Sequence, residues 1–524
     1  MALMLAGTVA PMQPHQEDLA FPGRVWFGDD GLVAAVTKGG ETPPAGISAD
    51  HEVDVGGAVI YPGLIDLHSH LGYNTLPLWT EPTQRTPYLH HGIWPGEASY
   101  GSSISWPTWT LLDRAPECVL AYVQVRALVG GTTAIQGWPN VSRPPTNLLV
   151  RCVDDDQVGP LRDPVMVSAL AEDVAKLTER ARGLQAGRVF VYHCAEGQPG
   201  TVVTSEFDHV DTAGCLQRGL AAIHCCALTG THFARWKQAS GQGAGPPGAV
   251  VWSPFSNLWL YGVTTDVPAA RANGLSVCLG SDWGPSGTKS LLGEVKVARI
   301  WSDHQGWTLT DHDLARMVTA SPGDVLARAW RRPAGRLVEG GLGDAVVVAG
   351  RRQDPWANLV AARESDLMLV VSGGAARYGT ESLMEAAGAQ QASPIRLGRQ
   401  ARQVVLRRPD DPTQPWSWAD VTGRLDAVRA DAAVRPPSGP AGMRGAAPAA
   451  RPETAGDPPG TPAIVVRPDM PGAPGEVAGP PPHGVTVAVP PLDPLYHSPA
   501  WLSTIRGRGF HGGVLDALAG FFDD

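Results

Sequence analysis

Over the first sixty residues apolar and polar positions alternate in short runs, in "ALMLAGTVAP", "RVWFGDDGLVAAVTKG" and "HEVDVGGAVIYPG". Alternation of this period predicts half-buried β-strands, and the Gly-Asp-Asp-Gly inside the second stretch supplies turn chemistry. From about residue 62 to 335 the pattern changes to solidly apolar runs followed by stretches of helical period, which predicts βα units around a parallel sheet. Short β-like runs return in "GRLVEGGLGDAVVVAG" and "LMLVVSGGAARYG". The expected fold is α/β: a TIM-type (β/α)8 barrel at 62–335, inserted into a small composite β-sandwich domain whose halves are 1–61 and 336–405.

Residues 406–485 lose the pattern. Segments such as "RPPSGPAGMRGAAPAARPETAGDPPGTP" carry too little apolar surface to order themselves and read as a disordered Pro/Gly/Ala-rich linker. In 486–524 Leu and aromatic residues recur at helical spacing, which predicts a short helical C-terminal segment docked on the barrel.

Composition narrows the partners. At 524 residues and 43% hydrophobic content the chain can bury a large core, and a formal charge of −10 without a long basic cluster argues against nucleic acid. No run approaches the about 18 apolar residues needed to cross a bilayer, and the apolar N-terminus lacks a basic stretch. No membrane partner and a cytoplasmic location are expected. The seven cysteines include no C-x-x-C and read as small buried apolar residues in a reducing compartment. The missing P-C-x-x-C also argues against cysteine-ligated zinc deaminases of nucleobases.

The chemistry gathers where apolar runs stop. "VIYPGLIDLHSH" ends in His68 and His70, which on a strand point the same way, a spacing suited to a metal that takes neutral imidazole nitrogens. "RVFVYHCAEG" places His193, "GLAAIHCCALTG" places His224 and "GLSVCLGSDWG" places Asp282 at equivalent points. Counting βα units, with "GAVVWSPFSN" as strand 7, these residues end strands 1, 5, 6 and 8, whose C-terminal ends converge on one barrel face. Singly, each is an ordinary core histidine or helix cap. Five in barrel phase predict a metal site.

With those residues in place, "PGLIDLHSH", "HCAE", "IHCCAL" and "LGSDWGPSG" resemble the amidohydrolase superfamily of metal-dependent hydrolases over about residues 2–380. The pattern is similar to mononuclear members typified by cytosine, methylthioadenosine and triazine deaminases and chlorohydrolases. The expected strand 4, "PVMVSAL", has no lysine to bridge two metals. The resemblance implies His68, His70, His193 and Asp282 as ligands of one zinc per chain, with iron also compatible. It implies further that Asp282 takes the proton of a metal-activated water, Glu196 shuttles protons, and His224 hydrogen-bonds water or substrate. The expected reaction is hydrolytic attack on a C–N bond of a small molecule, either deamination of an amino-heterocycle or cleavage of an amide or amidine. A same-fold hydrolase of a C–halogen bond and an inactive binding scaffold are the alternatives. A homo-oligomer is compatible with all three.

The stretch after strand 1, Leu71 to about Leu112, is dense in aromatics and longer than a usual βα loop. Tyr73 and Trp79, with Trp94 and Trp106, are candidate pocket walls, although most of these rings are expected to pack the loop itself. Ser256, Asn257 and Trp283 are further candidate substrate contacts. His90 and His91 are expected to pack the loop, Lys289 to pair with a loop carboxylate, and Thr310 to cap a helix that carries His312.

Overall fold

A computed structural model describes residues 2–141, 148–154, 158, 160–161, 163–168, 172–408, 414–432, 466–468, 480–482 and 484–522. The expected mixed α/β character holds. Strands Leu3–Val9, Phe21–Phe27, Val33–Lys38 and His51–Pro62 join five strands between Ala345 and Val405 in one nine-stranded sheet, rather than two separate sheets. Its centre is Ala345–Val348, antiparallel to the end of His51–Pro62, so the two halves of the small domain are hydrogen-bonded to each other across the intervening chain.

The intervening segment carries two parallel sheets. Leu64–Asp66, Thr132–Ile135 and Arg151–Cys152 form one; Val165–Ser168, Val189–Cys194, Leu220–His224, Ala249–Trp252 and Ser276–Leu279 form the other, each strand beside its predecessor. The runs Val189–Cys194, Leu220–His224 and Ala249–Trp252 are buried at every position, as covered parallel strands require. A parallel bridge between Ser69 and Asp282 ties the first of these eight strands to the last. Among the described residues, no helix is long and apolar enough to cross a membrane. All seven cysteines are buried.

One further expectation changes. Within the stretch read as linker, Trp418–Ala432 is a helix with Val421, Leu425 and Val428 buried. These positions fall at i, i+4 and i+7, an apolar stripe masked in the sequence by its Pro- and Gly-rich surroundings. Trp418 stacks on Tyr122 at 5.4 Å between ring centroids. Residues 433–465 and 469–479 of the same stretch lie outside the described residues.

The C-terminal segment docks as expected, and goes deeper than a surface helix pair. Trp501, Leu502 and Ile505 of the helix Pro499–Ile505, with Leu515 and Leu518, are buried in a cluster with Tyr73, Trp79, Trp94, Phe255 and Trp259. Asp493 is buried against Arg126 (3.1 Å) and Lys289, the loop-carboxylate pairing expected for that lysine. The expected cap at Thr310 is present as a reciprocal Thr310–Asp313 pair, and His312 sits on that helix against Trp356.

Candidate metal centre

The strand ends are pinned to one another before any side chain meets. Asp66, in the last position of Leu64–Asp66, accepts hydrogen bonds from the His68 and Ser281 amides at 3.1 Å each and from the Ser281 hydroxyl. The Asp282 amide donates to the His68 carbonyl at 2.8 Å. Gly280 lies so close that a Cβ there would come within 2.6 Å of His68 Cβ. His224 (φ +67°), Cys225 (φ +55°), Ala195 (φ +56°) and Asp282 (φ +59°) all hold left-handed backbone, which L-residues adopt at a cost and which clusters at functional sites.

His68, His70, His193, His224 and Asp282 meet here, all at most 5% exposed. His68 Nε2 is 2.9 Å from Asp282 Oδ1, His70 Nε2 is 3.8 Å from the same oxygen, and His224 Nε2 is 3.9 Å from Asp282 Oδ2. The His68 ring lies 4.9 Å from that of His70, 4.6 Å from His193 and 5.0 Å from His224. Two sets of donor atoms fall within 4.8 Å of one another: His68, His193 and His224, and His68, His70 and Asp282. His193 Nδ1 is buried with no hydrogen-bond partner, and the His68 imidazole faces the Asp282 carboxylate at 2.9 Å. Imidazole nitrogens gathered around a carboxylate, one of them orphaned, fit a metal ion, which takes lone pairs of neutral rings.

The electrostatics agree. Burial depresses His68 and His193, and pushes His224 down to about 3. Burial alone would raise Asp282, but the facing His68, His224 and His70 outweigh it and hold the carboxyl well below its usual range. Glu196 is raised to about 7 by burial, which leaves it able both to hold and to release a proton.

A chain of hydrogen bonds fixes the tautomer of His224. The Trp252 indole N–H, a donor only, meets Thr264 Oγ1 at 2.6 Å, and that hydroxyl donates to Asn257 Oδ1 at 3.2 Å. Asn257 Nδ2 then donates to His224 Nδ1 at 2.9 Å. The His224 proton is left on Nε2, which makes that nitrogen a donor rather than a metal ligand. Asn257 and Thr264 come from the helix Pro254–Tyr261 and the turn after it, a helix started by its proline and stopped by Gly262 at φ +67°.

A narrow pocket opens on the cluster, lined by His70, His193, Glu196, His224 and Asp282 with Trp94, Ser256, Leu260, Trp283 and Ser286. Of the five candidate substrate contacts, Ser256 and Trp283 line it and Asn257 stands behind His224. Tyr73 and Trp79 do not reach it. They pack edge-on against Trp283, at 5.9 and 6.4 Å, and support the wall instead of forming it. Trp106 packs into the main core. His91 pairs with Glu206 at 2.8 Å and His90 bridges Gly197, so both pack the loop as expected.

Asp66, Leu260 and Tyr261 were not singled out from the sequence. Asp66 had a signal, an acid inside the apolar run two residues before His68. Tyr261, whose hydroxyl reaches Glu196, reads only as a helix residue in "NLWLYG".

No family profile matches the chain. A dihydroorotase from Chlorobaculum tepidum is 46% identical over 54 residues, spanning 10% of this chain and 12% of that protein. A 5-methylthioadenosine/S-adenosylhomocysteine deaminase from Syntrophobacter fumaroxidans is 26% identical over 411 residues, 70% of this chain and 90% of its own length. Among solved structures, an adenosine deaminase from Xanthomonas campestris with bound zinc superposes with a TM-score of 0.57 at 16% identity, covering 82% of this chain and 98% of its own. The chain shares its fold with this zinc-bound deaminase. An atrazine chlorohydrolase from Arthrobacter aurescens, complexed with zinc, shares it with a TM-score of 0.54 at 15% identity, over 81% of this chain and 99% of that one.

Proposed function

We propose that this chain is a metal-dependent hydrolase that cleaves a C–N bond of a small molecule, most simply by deaminating an amino-heterocycle. The observation that carries the reading is the convergence of the buried His68, His70 and His224 imidazoles on the Asp282 carboxylate, with His193 packed against the His68 ring. The in-sequence order of the eight parallel strands and the Ser69–Asp282 bridge support a (β/α)8 barrel with this cluster at the C-terminal ends of its strands.

His68, His70, His193 and Asp282 hold one ion of the zinc class, zinc or iron. Once bound, such an ion supplies a water of lowered pKa and polarises the bond under attack. Asp282, kept anionic by its histidines, accepts the proton of the attacking water. Glu196 receives that proton and delivers it to the leaving nitrogen. His224 donates from Nε2 to the oxygen on which charge develops, its Nδ1 being occupied by Asn257. Trp94, Trp283 and Leu260 offer apolar faces to a flat substrate, and the Ser256 and Ser286 hydroxyls, 3.0 Å apart, offer polar contacts to its edge.

The test pairs metal content by inductively coupled plasma mass spectrometry with ammonia release over a panel of amino-heterocycles, amides and amidines. The expected result is about one ion per chain, lost in the His68→Ala/His70→Ala double variant, with turnover of at least one compound. Wild-type protein that takes up no metal under metal-replete expression overturns the reading.

A further inference from the structure

Glu196 does not stand alone at the pocket. Tyr261 Oη lies 2.5 Å from Glu196 Oε1, and the Trp94 indole nitrogen lies 3.0 Å from the same phenol oxygen. The three residues come from three separate segments: the loop after Val189–Cys194, the end of the helix Pro254–Tyr261 and the short 3-10 turn Trp94–Gly96. All are at most 5% exposed.

The donors fix the polarity of this chain. An indole N–H can only donate, so the phenol oxygen accepts from Trp94. The phenol has one proton, and it is directed to Glu196. Burial raises Tyr261 far above its ordinary value, so that proton stays in place. Oε1 of Glu196 is therefore committed as an acceptor. Whenever the carboxyl is neutral, its proton sits on Oε2, and the two otherwise equivalent oxygens become distinct.

We infer that Tyr261, itself oriented by Trp94, is a positioning residue that holds Glu196 in one orientation and makes Oε2 its proton-transferring oxygen. The inference rests on the proposed hydrolase reading, in which Glu196 carries the proton between water and leaving group. Without the phenol the carboxyl turns freely, and the transferable proton is spread over two oxygens and several orientations. The aromatic loop after the first parallel strand thus reaches the chemistry through Trp94 as well as walling the pocket.

The experiment compares metal-replete wild type, Tyr261→Phe, Glu196→Gln and the double variant. With a substrate found in the ammonia panel, Tyr261→Phe is expected to lower kcat about 10- to 100-fold while KM stays within about 2-fold. Adding Tyr261→Phe to Glu196→Gln is expected to cost nothing further, because the group it positions is gone. Independent, multiplying losses would mean a merely structural tyrosine and would overturn the inference. A second readout needs no turnover. The infrared carboxyl stretch of Glu196, identified as the band lost in Glu196→Gln, is expected to move in Tyr261→Phe; an unmoved band overturns the inference. Wild type inert across the panel would instead sink the hydrolase reading, with the infrared shift still deciding whether Tyr261 engages Glu196.

Discussion

Substituting Gly280 by Ala adds one methyl group at the point where the strand Ser276–Leu279 passes behind His68. Its Cβ would lie 2.6 Å from His68 Cβ and 3.1 Å from both the His68 carbonyl oxygen and Val251 Cγ1, against at least 3.4 Å for ordinary contact. His68 must therefore retreat by about 0.8 Å, beyond the roughly 0.2 Å tolerance of a metal–ligand distance and the roughly 0.5 Å tolerance of a working site. Overpacking of this kind costs about 1–3 kcal/mol in stability. Losing the register of one ligand costs an additional factor of about 10–100 in metal affinity, or about 1.4–2.8 kcal/mol that appears only when metal is present. The assay is thermal unfolding of Gly280→Ala with and without zinc, together with a chelator-competition titration. Gly248→Ala is the control: its Cβ would strike the Trp236 ring at 2.4 Å, in a core contact that includes none of the metal-site residues. Both variants should lose stability, and only Gly280→Ala should lose metal affinity. Wild-type affinity in Gly280→Ala, or equal loss in the two variants, would refute His68 as a ligand held in place by that strand.

Two further outcomes follow from buried charge. Asp493→Ala removes the carboxylate that faces both Arg126 and Lys289, all three side chains being at most 4% exposed, and leaves two cations in the core. A loss of about 3–5 kcal/mol in denaturant unfolding is expected, and a loss under about 1 kcal/mol would contradict the structural role of the C-terminal segment. Glu294 is raised by burial to about 8 in the fold, despite hydrogen bonds from Thr288 and the Phe255 amide that favour its anion. A raised carboxyl contributes stability that is full below its unfolded value of about 4.5 and is lost as pH climbs through 8, at about 1.36 kcal/mol per unit. Glu294→Gln should therefore gain on wild type between pH 5 and pH 8 in melting temperature. A gap that is constant or widens against the variant would show that Glu294 is ionised throughout.

The candidate metal cluster was legible because each contribution has the same local signature, an apolar run stopped by a ligand-type residue, repeated at βα spacing. His68, His193, His224 and Asp282 each carry that signature, and the structure brings them together. Tyr73 and Trp79 took a supporting place that their sequence does not distinguish from a lining one. A ring dense enough to wall a pocket is also dense enough to buttress one, and only the packing of Trp283 against both separates the roles. Tyr261 was out of reach because its partners are tertiary: Trp94 lies 167 residues away and Glu196 lies 65. The helix Trp418–Ala432 was missed for a different reason, composition averaged over a long Pro-rich stretch hiding an apolar stripe of three residues.

Asp493 also sets an order of events during synthesis. Arg126 leaves the ribosome 367 residues before its counter-ion and Lys289 leaves 204 before, an interval of roughly tens of seconds at about 5–20 residues per second. Until Asp493 is made, the cations of Arg126 and Lys289 lack the carboxylate that faces both of them in the folded chain. Charge balance in this part of the core therefore waits for Asp493, and a chain that stops short of it would carry two uncompensated buried cations.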